Sequence, residues 1–109
     1  MSSSGAIDLR ALQDIVRARL GESPDVSYTA KLQSKGMAHI AKKLGEEATE
    51  TVIAAVSQDD AALTAEASDL LYHLTVLLSV RGIDIADIEA ELARRTAQSG
   101  LDEKKSRRS

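Results

Sequence analysis

Among 109 residues there is no phenylalanine, no tryptophan and only two tyrosines, and this shortage governs how the chain can bury a core. An interior assembled from Leu, Ile, Val and Ala suits closely packed helices better than a sheet, whose faces favour aromatic and β-branched side chains. The expected fold is therefore all-α, a bundle of four to five helices. At this length one compact body is the limit, and so small a fold leaves much apolar surface to cover.

Helical spacing divides the chain. Leu9, Leu12, Val16 and Leu20 make the first stripe, with Asp8 as its N-cap and Gly21 expected to end it in the left-handed conformation. After a turn around Pro24, Ser27 caps a short helix over residues 28–35, stopped at Gly36 and expected to form a lip over something beneath it. A long helix over 37–57 carries Met37, Ile40, Ala41, Leu44, Ala48, Val52 and Ala55 along one stripe. Ile53 and Val56 project away from that stripe, giving a second apolar face that one small bundle cannot cover. Asp59 and Asp60 then cap a helix over 61–81, apolar around most of its circumference and expected at the buried centre, with Gly82 ending it. Asp84 caps a last helix, 85–97, with Ile85, Ile88 and Leu92 inward and Glu89, Glu91, Arg94 and Arg95 outward. A homodimer is expected, in which Ile53 and Val56 meet the other subunit together with Val76 and Val80 of the fourth helix.

The domain division expected is one all-α domain over 1–97 and a basic, solvated, disordered tail over 98–109, carrying Lys104, Lys105, Arg107 and Arg108. The start has neither a basic cluster nor a following apolar run, so it does not read as a secretory signal, and no stretch approaches membrane-spanning length. With a mild net charge of −3, the expectation is a soluble cytoplasmic protein that binds neither nucleic acid nor membrane. The absence of cysteine excludes a disulfide framework, a zinc site of Cys ligands and a thiol nucleophile.

Four acids carry the chemistry. Glu47 with Glu50, and Glu66 with Asp69, are spaced i, i+3, which puts both carboxylates of a pair on one side of a helix. On a helical wheel Glu66 falls between Leu63, Leu70 and Leu77, and Glu47 borders Ile40 and Leu44, so both point inward. A lone E-x-x-E is ordinarily a pair of solvated surface acids. A second pair inside an otherwise apolar helix turns the balance toward a divalent cation, because carboxylates gathered away from water repel and raise one another's pKa. Mg²⁺ suits them: it takes oxygen ligands and commonly joins a few carboxylates to the phosphates of a substrate. A carboxylate di-iron bundle would need Glu-x-x-His on its helices, and none occurs. His73, one turn after Asp69, is open to two readings, a satisfied buried histidine or a side chain that orients a carboxylate or touches a phosphate. Lys31, Lys35, Lys42 and Lys43 are either a solvated face or ammonium groups that neutralise a polyphosphate.

Three runs then carry a family likeness: Ser27-Tyr28-Thr29-Ala30-Lys31-Leu32, Ile40-Ala41-Lys42-Lys43-Leu44-Gly45-Glu46-Glu47-Ala48-Thr49-Glu50-Thr51 and Glu66-Ala67-Ser68-Asp69-Leu70-Leu71-Tyr72-His73-Leu74. In this order they resemble the phosphoribosyl-ATP pyrophosphohydrolases, over roughly residues 9–95. The two acidic halves alone would indicate the wider superfamily of all-α nucleoside triphosphate pyrophosphatases; the Ser-Tyr-Thr and Lys-Leu-Gly-Glu-Glu runs narrow it. The resemblance implies Mg²⁺-dependent hydrolysis of phosphoribosyl-ATP to phosphoribosyl-AMP and pyrophosphate, a step of histidine biosynthesis. On it, Glu47, Glu50, Glu66 and Asp69 hold the metal, Glu46 or Glu47 orients the attacking water, and Tyr28, Lys31, Lys35, Lys42, Lys43 and His73 meet the nucleotide. The zinc-binding cyclohydrolase domain that some relatives carry is not expected in a chain without cysteine. A house-cleaning pyrophosphatase of free nucleotides would share the acids and differ in the pocket. A helical interaction module would leave the acids solvated.

Overall fold

The computed structural model describes residues 5–97; the first serines and the basic tail, with the disorder expected of it, lie outside the described residues. Five α-helices and no strand are found among them: α1 (Leu9–Leu20), α2 (Tyr28–Ser34), α3 (Met37–Ser57), α4 (Asp60–Val80) and α5 (Ile85–Thr96). The all-α bundle expected from composition is what forms, with helix ends within a residue or two of the expected ones.

Local chemistry explains the punctuation. Four of the five helices begin on a side-chain oxygen that accepts from a backbone N–H one turn in or less: Asp8 from Ala11, Ser27 from Ala30, Asp59 from Ala62 and Asp84 from Ala86, each satisfying a donor the helix itself cannot. α3 instead starts after Gly36, whose φ of +97° is open to glycine at little steric cost. Gly21 departs from expectation. Its φ is −82° and its N–H still bonds back to Ala18, so α1 ends by tightening its last turn rather than by a left-handed residue.

α3 and α4 are each 21 residues long and are joined by only Gln58 and Asp59, so they run antiparallel and form the most extensive helix pair in the fold. α1 packs across α4, α2 bridges α1 and α3, and α5 closes against α1. Val16, Leu32, Ile40 and Val76 form the core, flanked by Leu12, Leu20, Met37, Tyr72, Leu77 and Val80. Burial of each large aliphatic contributes about 1.5–3 kcal/mol. Gln13 is fully buried with them and fully used: its amide donates to Ser79 Oγ at 3.1 Å and to the Ile83 carbonyl at 3.0 Å, while its oxygen accepts from Ile85 N–H at 2.7 Å. It ties α1 to the α4–α5 turn.

Three packing expectations need correction. Val52, assigned to the inward stripe of α3, is 63% exposed; Leu92, assigned inward on α5, is 53% exposed. The buried line of α3 runs through Ile40, Glu47 and Ala54, with Thr51 half-buried between. Reading only apolar residues shifted the stripe by one position onto Val52 and Ala55. Third, Val76 is completely buried in its own chain and Val80 packs against the core, because α1 covers that side of α4. Val76 is therefore not available to a second subunit, and Val80 offers only the part of its side chain that the core leaves uncovered. Ile53 and Val56 are exposed as expected, and on α4 the exposed large apolar residues are Leu71 and Leu74.

Candidate active site

The facing middles of α3 and α4 hold the acids. Thr51 braces them from behind: its hydroxyl reaches the Glu47 carbonyl on its own helix at 2.8 Å and the Glu66 carbonyl across the interface at 3.2 Å. That contact sets the axial register of the two acid-bearing turns. In front of it, Glu47, Glu66 and Asp69 each present an oxygen within 4.8 Å of the others. Glu47 is 6% exposed, and Oε1 of both Glu47 and Glu66 is buried with no hydrogen-bond partner. Buried acceptors are ordinarily paired, so two orphans within one acidic cluster call for a cation. The Glu66 carboxyl titrates above its ordinary range because burial disfavours its charge, with Glu50, Asp69 and Glu47 adding repulsion and Glu50 a side-chain hydrogen bond. The cluster can hold a metal ion.

The four acids are not equivalent. Glu47, Glu66 and Asp69 converge, running from buried through half-buried to exposed, whereas Glu50, exposed like Asp69, reaches the group through Glu66. Glu46 is not brought to the cluster. It is about half exposed, within 3.8 Å of Lys43 Nζ, and lines an open cleft with Lys42, Gly45, Thr49 and Glu50.

Two clefts flank the acids. The first, of about 300 Å³, is lined by Tyr28, Lys31, Leu32, Lys35, His39 and Lys43; it gathers three of the four candidate lysines, and Lys42 sits elsewhere. Lys43 joins this cleft to the acids, its ammonium 3.8 Å from Glu47 Oε2. The second, of about 490 Å³, is lined by Arg19, Glu22, Val26, Ser27, Tyr28, Thr29, Asp69, Tyr72 and His73. Tyr28 stands in the wall of both. The lip expected of α2 is thus a partition between two basins. Sequence reading did not single out Arg19, His39, Thr29 or Tyr72. The signal available was the pair of cationic residues closing α1, Arg17 and Arg19, just before the turn into Ser27-Tyr28-Thr29.

His73 holds the partition rather than projecting into it. It is 6% exposed; Nδ1 lies 2.8 Å from the Asp69 carbonyl and Nε2 2.8 Å from the Tyr28 hydroxyl. A carbonyl only accepts, so Nδ1 carries the proton, and in the neutral ring Nε2 accepts from Tyr28 O–H. Both nitrogens are engaged, the satisfied-histidine alternative. The Tyr28 hydroxyl titrates above its usual range, chiefly through burial, with Glu47 and Asp69 adding to the effect and Lys43 opposing it.

Five helices around convergent acids, the innermost of them buried, with a lysine-lined cleft opening beside them, describe an all-α nucleotide pyrophosphohydrolase. Residues 9–96 match the family model described as phosphoribosyl-ATP pyrophosphohydrolase, and the chain belongs to that family. It is 55% identical over 97 residues to phosphoribosyl-ATP pyrophosphatase 1 of Bradyrhizobium diazoefficiens, covering 89% of this chain and 92% of that one. It is 54% identical over 102 residues to the phosphoribosyl-ATP pyrophosphatase of Agrobacterium fabrum, covering 94% and 95%, and 55% identical over 100 residues to that of Methylobacterium nodulans, covering 92% and 94%. Like them it is a hydrolase. Among the described residues no helix is long and apolar enough to cross a membrane.

Proposed function

We propose that this chain hydrolyses phosphoribosyl-ATP to phosphoribosyl-AMP and pyrophosphate in histidine biosynthesis, with Mg²⁺ as cofactor, as a cytoplasmic homodimer. The observation that carries the reading is the trio Glu47, Glu66 and Asp69, two of whose oxygens are buried without a partner, set in a chain of this family. These residues, with Glu50 alongside, fit a hard divalent cation by donor type and by that unmet demand for positive charge. When bound, Mg²⁺ withdraws charge from the phosphates and favours attack at phosphorus.

The remaining work falls to the chain's own groups. Lys31, Lys35 and Lys43 hold the triphosphate in the narrower cleft and offset the charge that grows on the leaving group. Glu47, bordered by Lys43 on one oxygen, orients the attacking water and takes its proton. The water oxygen bonds to the α phosphorus, the α–β bridging bond breaks, and pyrophosphate departs with the bonding pair. Glu46, directed to the outer cleft, is a weaker candidate for this role than Glu47. Lys42 and Glu50 lie where they can adjust the field around the site.

A substrate panel tests the proposal. With Mg²⁺, the protein should release pyrophosphate from phosphoribosyl-ATP, not two orthophosphates, and a chelator should abolish the activity. ATP, dUTP and dCTP should be poor substrates. Comparable turnover of free nucleotides would favour a house-cleaning role, and orthophosphate appearing first would contradict α–β cleavage.

A further inference from the structure

We propose that the Arg19 cleft is the seat of the phosphoribosyl group, Arg19 binding its phosphate and Glu22 its ribose hydroxyls. The inference rests on the functional reading above and deepens it. Phosphoribosyl-ATP carries two separate anionic ends, the triphosphate that is cut and a phosphomonoester on the added sugar. The site likewise has two basins, parted by Tyr28. One is lined by three lysines and adjoins Glu47, as a polyphosphate requires. The other contains one guanidinium, several hydroxyls and two carboxylates, Asp69 on the side of the acidic cluster and Glu22 beside Arg19, and its Arg19 end is the complement of a single phosphate on a polyhydroxylated ring.

Arg19 is also mounted for the task. Its Nη1 donates to the Tyr72 hydroxyl at 3.2 Å, and that hydroxyl is bonded in turn to Thr29 Oγ1. Its backbone carbonyl accepts from Ser27 Oγ at 3.2 Å. The residue is thereby referenced to α1, α2 and α4, yet every one of these partners is neutral. Arg10 and Arg17 are paired with Asp84, and Arg94 and Arg95 with Glu91, whereas Arg19, like Arg81 at the far end of α4, makes no ion pair among the described residues, and of these two only Arg19 lines a cleft of the site. Glu22 acts on it through space and shares its cleft wall. A guanidinium positioned by hydroxyls keeps both its charge and its remaining N–H donors for an incoming phosphate.

The test compares phosphoribosyl-AMP with AMP as inhibitors of phosphoribosyl-ATP hydrolysis by the full chain with Mg²⁺. The wild type should bind phosphoribosyl-AMP at least tenfold more tightly. In Arg19→Gln that ratio should fall close to one, with AMP inhibition changed less than twofold; Arg19→Lys should lie between. A ratio unchanged in Arg19→Gln overturns the proposal, as does an equal weakening of both inhibitors, the mark of a purely structural residue. Should Arg19→Gln fail to fold, the wild-type ratio decides, and a value near one overturns it. Absence of wild-type turnover would instead remove the functional reading on which the proposal stands.

Discussion

At the scale of single residues, the fold tolerates unpaired charge in one place and quenches it in another. Glu47 and Glu66 are held with buried oxygens unmet, a stability sacrifice of the kind that collects at functional sites. Asp84 is the opposite case. Its carboxylate accepts from Arg10, from Arg17 at 3.3 Å and from Ala86 N–H at 2.8 Å, and these contacts, the Arg10 hydrogen bond above all, hold its pKa well below 3.8. A depressed native pKa stabilises the fold above the unfolded value and loses that contribution as the pH falls through the native one. Asp84→Asn keeps a competent helix cap but no charge. It should melt below the wild type at pH 7, and the gap should narrow as the pH falls beneath 3.8; a gap that is constant across pH would deny the ion pairs any role. Salt should shrink the gap as well, since both arginines are exposed.

At the scale of elements, α3 shows why a correct fold can be read from sequence with a faulty register. The caps, the turns and the helix count follow from local chemistry that each segment carries by itself. The inward line of α3 does not, because its centre is occupied by Glu47 and Thr51. Ile40 and Leu44 mark Glu47 beside them as inward, but Thr51, turned inward to brace the site, is indistinguishable in a hydrophobic pattern from a residue turned out. The two acidic pairs were legible because the second lay inside an apolar helix; the Arg19 cleft was not, since Arg19, Thr29 and Tyr72 meet only through the α1–α2–α4 packing. The same logic bears on the outer face of α3, where Val52, Ile53 and Val56 are all exposed. A contiguous apolar strip on an otherwise charged small protein suits a second copy of the chain. Ile53→Glu should therefore yield monomers or insoluble protein in sedimentation at micromolar concentration, where the wild type should run as a dimer. A monomeric wild type would remove the dimer.

At the scale of the whole molecule, the site is an interface among three helices. α3 and α4 bring the acids together, with Thr51 fixing their register, and α2 divides the approach to them. Ile40 and Val76 anchor the two acid-bearing helices in a core completed by Val16 of α1 and Leu32 of α2, so the scaffold resists the collapse or splaying that carboxylate repulsion would otherwise cause. The central claim is that this repulsion is held in place for a metal that serves hydrolysis, and Glu66→Gln tests it most directly. The neutral amide removes a charge whose burial is unfavourable, so the metal-free variant should melt no lower than the wild type, which establishes that it is folded. The measurement is its initial rate of pyrophosphate release from phosphoribosyl-ATP at saturating Mg²⁺. Losing one ligand both weakens the ion and displaces it, and a misplaced reactant group costs on the order of a hundredfold, so the rate should fall by about that factor or more. A folded Glu66→Gln protein that releases pyrophosphate at the wild-type rate would contradict the account.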